Sequence, residues 1–177
     1  MEASVPYALT FEELMLPHLD AAYNLAQWLL RDPHDAQDAV QDACLRAHRA
    51  FGRFRGTDGR AWILTIVRNV CYTRLRDSRR GPAEVAFEDD LHGAGHDSAD
   101  ANAVAWGEVR SELLRRALEG LPTEYREVIV LHEIEGLAYR EIAAVAGIPL
   151  GTVMSRLARA RAKLQAGVLA LAGKSES

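Results

Sequence analysis

Lysine is almost missing from this chain: of its 21 basic residues, only Lys163 and Lys174 are lysine and the rest are arginine. With abundant alanine, that bias suggests a GC-rich genome and no more. Cysteine is equally scarce. Two residues, Cys44 and Cys71, cannot staple a small secreted fold, and reduced thiols in a cytosolic protein are the expectation. The first residues carry Glu2, Glu12 and Glu13 rather than a basic segment before an apolar core, and no apolar run is long enough to span a bilayer. Neither a secretory leader nor a membrane span is expected. The modest 13 Gly and 6 Pro exclude collagen-like and low-complexity chains. Sustained period-two alternation is absent, which argues against half-buried strands. An activated nucleophile, a phosphate-cradling glycine loop and a paired-carboxylate pocket are absent too, so nothing points to an enzyme or to a bound cofactor.

What remains is 177 residues, 49% hydrophobic and 26% charged, enough for one medium domain or two small ones. The net charge of −4 argues at first against nucleic acid, but the average conceals segregation. Residues 1–50 carry −5, 60–80 carry +5, 81–109 carry −7 without a single lysine or arginine, and 140–165 carry +4. Two basic islands in an acidic chain imply two separate anion-binding surfaces.

Helical periodicity runs through both halves and predicts an all-α fold. A first helix is expected over Phe11 to Leu30, a second over Asp35 to Phe51 with Ala36, Val40, Cys44, Ala47 and Phe51 at three-to-four spacing, and a third over Arg60 to Arg80. Gly81-Pro82 should end the third, and residues 81–105 read as an acidic linker. The second half predicts helices over Val109 to Glu119, Thr123 to Glu133 with Thr123 as N-cap, Tyr139 to Ala146 and Leu150 to Leu171. The domains are therefore 1–80 and 106–177.

The sharpest motif lies in Leu137 to Leu164. A short helix with Ile142 and Ala146 inward, a turn at Gly147, Ile148 and Pro149, and a helix with Val153, Leu157, Ala160 and Leu164 inward make a helix-turn-helix. At 100° per residue, Ser155, Ala158, Arg159 and Ala162 oppose the apolar seam, flanked by Thr152, Arg156 and Lys163 on one side and Met154 and Arg161 on the other. Small residues allow close approach to base edges and the cations meet phosphates. On the third helix, Thr65, Arg68, Asn69, Tyr72 and Arg76 form a polar stripe opposite Ile63, Ile66, Val67, Val70 and Cys71. Such a stripe could stack on and hydrogen-bond unpaired bases; a solvated face would read the same. Cys44 and His48, four apart, could offer two metal ligands, but a small thiol and a surface imidazole are the simpler reading and no metal site is expected.

Three segments in order, D-A-Q-D-A-V-Q-D-A-C-L-R-A-H-R-A-F (Asp35 to Phe51), G-R-A-W-I-L-T-I-V-R-N-V-C-Y-T-R-L-R (Gly59 to Arg76) and L-P-T-E-Y-R-E-V-I-V-L-H-E-I-E-G-L-A-Y-R-E-I-A with the helix-turn-helix after it, resemble the extracytoplasmic-function sigma factors of bacterial RNA polymerase. The resemblance covers about Leu14 to Leu164. It implies an alternative sigma factor, cytoplasmic and monomeric when free, whose partners are core RNA polymerase, promoter DNA and an anti-sigma factor that could hold it near the membrane. On the polymerase, the contacts implied are the clamp helices of the largest subunit and the flap region.

Residue by residue, the resemblance implies that Asp38, Gln41 and Asp42 dock on the clamp helices. Thr65, Arg68, Asn69, Tyr72 and Arg76 would read the −10 element as opened strand, with Trp62 packed at the head of their helix. Thr152, Ser155, Arg156, Arg159, Arg161 and Lys163 would read the −35 element as duplex. Met154 stands where relatives often carry a basic residue, so contact there would be apolar or absent. Elements about 17 base pairs apart lie about 58 Å from each other at about 3.4 Å per step; a relaxed linker falls short of that span and an extended one, stretched on the polymerase, reaches it. Free of polymerase, the two domains are expected to move independently. The competing reading, a stand-alone helix-turn-helix repressor, leaves the acidic docking helix and the second basic island without a role.

Overall fold

The computed structural model describes residues 9–56, 58–79 and 111–175, and every element among them is helical. The chain opens with α1 (Phe11–Met15), a 3-10 turn (Leu16–His18) and α2 (Leu19–Leu30). A single helix over Phe11 to Leu30 was the expectation, and Pro17 is what breaks it: it has no N–H to donate and sits at the start of the 3-10 turn. Thr10 caps α1 reciprocally with Glu13, through Glu13 N to Thr10 Oγ1 at 3.2 Å and Thr10 N to Glu13 Oε2 at 2.9 Å.

Helix α3 (Pro33–Ala50) begins two residues before the expected Asp35, because Asp32 caps it, accepting from Asp35 N at 2.8 Å, and Pro33 occupies the first turn. Its buried seam is Ala36, Ala39, Ala43 and Ala47; Val40 and Cys44 lie at the seam's edge, half-buried. Alanines let α3 approach α2 and α4 closely. Helix α4 (Gly59–Ser78) is capped by Asp58, which accepts from Ala61 N at 3.1 Å, and buries Ile63, Leu64, Val67, Val70 and Cys71. A β-carbon on Gly59 would stand 2.3 Å from Leu14 Cδ1, so glycine is what lets α1 rest on the head of α4. Trp62 packs there against Phe54, with ring centroids 4.7 Å apart, as the sequence implied.

In the second block, α5 (111–119) leads to α6 (Thr123–Ile129), which passes directly into a π turn (Val130–Ile134). The N-cap of α6 is Pro122, not Thr123, and no side chain caps it. The turn after α5 is held instead by Arg126, whose Nη1 donates to the carbonyls of Glu119 at 2.9 Å and Leu121 at 3.3 Å. Burial, then the charge of Arg31, lowers this guanidinium's pKa to about 10. The π turn replaces the regular helix expected to Glu133, and closes through Glu135 N to Val130 O at 2.9 Å. Helices α7 (Tyr139–Ala146) and α8 (Leu150–Ser175) follow, with an angle of 101° between them. Gly147, at φ 64°, makes the left-handed turn between them. Helix α8 runs past the expected Leu171 to Ser175. Among the described residues, no single helix is long and apolar enough to cross a membrane.

Helices α2, α3 and α4 form one bundle and α6, α7 and α8 a second. The two are in contact. Helix α4 packs on α7 and α2 on α6, and the buried residues of both blocks belong to one continuous cluster. Across the contact, two buried or half-buried carboxylates of the second block, Glu127 and Glu135, meet partners on the first. The acidic linker assigned to 81–105 lies outside the described residues.

Candidate nucleic-acid interface

Helix α8 presents what the motif predicted. Val153, Leu157 and Ala160 are buried, and Ser155, Arg159, Arg161 and Lys163 are exposed on the far side. Thr152 and Arg156 are half-buried on the flank. Ser155 Oγ donates to its own helix at Thr152 O, 3.1 Å. Arg161 is held by Glu133 of the π turn, through Nε at 2.9 Å and Nη2 at 2.6 Å, and that bond raises its pKa. Lys163 lies 5.9 Å over the Tyr125 ring. Arg159 forms no ion pair among the described residues, which leaves its five N–H donors for a ligand. Met154 is 53% exposed, so the position that departs from a basic residue offers apolar surface.

The polar stripe of α4 is divided. Asn69 and Arg76 face solvent, and Thr65 is half-buried, its hydroxyl donating to Ala61 O at 2.7 Å. Arg68 and Tyr72 are turned onto the second block. Glu127 of α6, with 0% of its surface exposed, accepts from Arg68 Nε, from Arg68 Nη2 at 3.3 Å and from Tyr72 Oη at 2.9 Å. The Arg68 guanidinium also lies 4.2 Å over the Tyr72 ring. Burial, then the Glu127 carboxylate, drives the Tyr72 hydroxyl well above the ordinary phenol value, against the pull of Arg68 and of Arg156 from α8. Two of the −10 candidates, Arg68 and Tyr72, therefore share one carboxylate of the second block. Glu135, at the end of the π turn, makes the second crossing: Asn24 Nδ2 donates to its Oε1 at 3.1 Å, and Arg60 Nη2 donates to its carbonyl and lies 3.6 Å from its Oε2.

On α3 the docking candidates separate as well. Asp38 and Gln41 are exposed, but Asp42 is paired with Arg74 of α4 at 2.7 Å. Beside Gln41 runs an apolar groove of about 580 Å³ lined by Phe11, Leu19, Val40, Cys44, Leu45 and His48. Leu45 is 58% exposed there. His48 meets the Phe11 ring edge-on at 5.1 Å, and among the described residues no three histidine, cysteine or acidic side chains gather as metal ligands.

The residues that sequence reasoning missed are Glu127, Glu135, Arg60 and Leu45. Glu127 had a faint signal, an acid set directly against the apolar run Val128 to Leu131.

Two family models match these same blocks: sigma-70 region 2 over residues 14–81 and sigma-70 region 4 over residues 111–164. The chain belongs to the extracytoplasmic-function sigma factors of RNA polymerase. It is 36% identical over 155 residues to the sigma factor SigM of Mycobacterium tuberculosis, with 87% of this chain and 74% of that protein aligned. With SigE of Mycolicibacterium smegmatis it shares 32% identity over 165 residues, covering 93% of this chain but 62% of that longer protein. Among solved structures, the sigma factor RpoE bound to the anti-sigma factor NepR from Bartonella quintana matches at a TM-score of 0.70 and 30% identity, over 89% of this chain and 96% of that one. CnrH in complex with the cytosolic domain of CnrY matches at 0.62 and 31%, over 90% and 88%. Sigma factors bind core RNA polymerase and promoter DNA and direct promoter-specific initiation; the family is non-catalytic. Membership accounts for both blocks of this sigma factor, and the stand-alone repressor reading finds no support.

Proposed function

We propose that this sigma factor recruits core RNA polymerase through the exposed face of α3 and reads a two-part promoter with α4 and α8. Asp38 and Gln41 supply the polar contacts to polymerase and the Leu45 groove the apolar area. Asp42 contributes through its pair with Arg74, which fixes α3 against α4. Asn69 and Arg76 meet the −10 strand first, and Arg68, Tyr72 and Thr65 join once the blocks separate. In the −35 duplex, Arg159 makes the central base contact, Ser155 and Thr152 approach the backbone, and Arg156, Arg161 and Lys163 lie against phosphates.

The observation that supports this reading best is the arrangement of two cationic helix faces on two blocks matched, in chain order, by regions 2 and 4. The chain performs no catalysis of its own, acts where polymerase is, in the cytoplasm, and is restrained by an anti-sigma protein; the neighbour RpoE is in complex with the anti-sigma factor NepR. A promoter library transcribed by holoenzyme tests the assignments: Asn69→Ala should relax preference in the −10 element alone and Arg159→Ala in the −35 element alone. Unchanged preferences in either variant remove that residue from the reading set.

A further inference from the structure

A cavity of about 630 Å³ is walled by the end of α2, the end of α4 and the turn between α5 and α6. Its volume is that of a small-molecule site. Four guanidiniums line it, those of Arg31, Arg76, Arg79 and Arg126, and Glu124 is the one carboxylate among the described residues that do; Leu29, Leu75 and Leu121 supply apolar lining. Arg31 and Arg79 form no ion pair among the described residues, and Arg76 has only its chain neighbour Asp77, at 3.8 Å. Arg126 is 3% exposed. Two carbonyls take its Nη1, but its Nε, also buried, has no hydrogen-bond partner among the described residues. A buried donor without an acceptor is costly and rare in a native fold. Burial and then the charge of Arg31 oppose the ionisation of Arg126, so an anion between the two would relieve a repulsion as well as take up a donor. Arg31 itself holds a left-handed φ of 65°, and such strain at a non-glycine residue is characteristic of ligand clamps.

We propose that this cavity is a binding site for a small phosphate ester with an apolar body, a ligand distinct from promoter DNA. The charge balance sets the head group. Four cations against one carboxylate favour a dianion over a monoanion, and guanidiniums meet phosphate oxygens with paired N–H donors. The leucines set the rest of the molecule: they gain nothing from inorganic phosphate, but an apolar body laid on them takes its surface and theirs out of water. Size decides against a nucleic-acid backbone. A duplex cannot bring a phosphate to a guanidinium as buried as that of Arg126, whereas a molecule that fits the cavity can. Arg31, Arg79 and Arg126 hold the phosphate, and the ester's apolar body lies against Leu29, Leu75 and Leu121. The site does not depend on how α4 reads DNA, because of its four cations only Arg76 belongs to the −10 set.

The test titrates the full chain in a calorimeter with 1-naphthyl phosphate, with inorganic phosphate and with neutral 1-naphthol. The ester should bind at one site per chain, at least about tenfold more tightly than either fragment. Arg126→Ala removes the buried donor but also releases the turn that Arg126 holds, so Arg31→Gly and Arg79→Ala carry the test. Each should keep the helical circular dichroism of the wild type and weaken the ester by about tenfold, the loss of one charge-assisted contact. Arg53→Ala, which removes an exposed cation that does not line the cavity, should leave the affinity as it was. Absence of binding by the ester up to about 10 mM overturns the site. Binding that both Arg31→Gly and Arg79→Ala leave intact places the ester elsewhere and overturns it as well. Equal affinity for inorganic phosphate overturns the apolar body, and equal affinity for 1-naphthol overturns the phosphate head.

Discussion

The Tyr72 hydroxyl on α4 donates to the Glu127 carboxylate on α6 at 2.9 Å, and with Arg68 it supplies every side-chain donor that this fully buried carboxylate has among the described residues. An ionised carboxylate left without donors in an apolar environment is costly. The closed arrangement of the two blocks is what prevents that here.

Tyr72→Phe leaves Glu127 with Arg68 alone and is expected to cost about 1–3 kcal/mol, the penalty of a buried acceptor losing a donor. Separation of the blocks lets water reach the carboxylate and so caps the loss. Thermal unfolding checks this: a lower and broader transition is expected, and an unchanged melting temperature contradicts it.

Much of the fold was legible because helices announce themselves by period and by cap. Tyr139 to Ala146 was read to the residue, since Gly147 and Pro149 punctuate it. Pro17 was visible too, but the apolar spacing on either side of it reads through the break, and only packing decides between a kink and two helices. The π turn has no sequence signature: the same residues fit a regular helix until tertiary contacts select the wider ring. The contact between blocks was illegible for a related reason. An arginine-rich stripe looks the same whether it faces water, DNA or a distant carboxylate, and the 59 residues between Arg68 and Glu127 leave no local trace of their pairing.

Cys71 should be chemically silent in the native state. It is buried against the core of the first bundle, and burial pushes its thiol up to about 12 from an ordinary value near 9. Cys44, at the groove, is raised by burial as well. Iodoacetamide with mass spectrometry at pH 8 should label Cys44 before Cys71, and label Cys71 at the rate of unfolding; prompt native-state labelling of Cys71 contradicts the burial.

The same shift has a sign for stability. A folded thiol that binds its proton more tightly than the unfolded one stabilises the fold fully below pH 9, and that contribution is lost as pH rises toward about 12. The slope is about 1.4 kcal/mol per pH unit for one proton. Tyr72, also raised, adds in the same direction above pH 10. Urea midpoints of the wild type should fall between pH 9 and 10.5, and those of Cys71→Ala should fall less. Equal slopes reject the assignment.

Arg31 is the one non-glycine residue with positive φ among those described, at 65°, where it ends α2. The left-handed region costs a β-carbon roughly 1–2 kcal/mol. Arg31→Gly should therefore raise stability by about 1 kcal/mol, and it also removes a cation whose charge opposes that of Arg126. Urea unfolding should show a higher midpoint with an unchanged slope; a lower midpoint would mean that the guanidinium contributes more than the strain it imposes.

Gly59→Ala runs the other way. Its β-carbon meets Leu14 Cδ1 at 2.3 Å and Cγ at 3.0 Å, so Leu14 must leave its rotamer or α1 must lift, at a cost of about 1–3 kcal/mol. Hydrogen exchange should show α1 opening first, with α8 unaffected. Wild-type protection across α1 would contradict the close approach.

The most direct measurement is run-off transcription across a genomic fragment library with core RNA polymerase, with and without this protein. Discrete new start sites, each preceded by the same two spaced elements, are the predicted result. Binding to duplex DNA without polymerase, with no start site gained by a folded, inhibitor-free preparation, would contradict the assignment of α4 and α8 as the two promoter-reading faces.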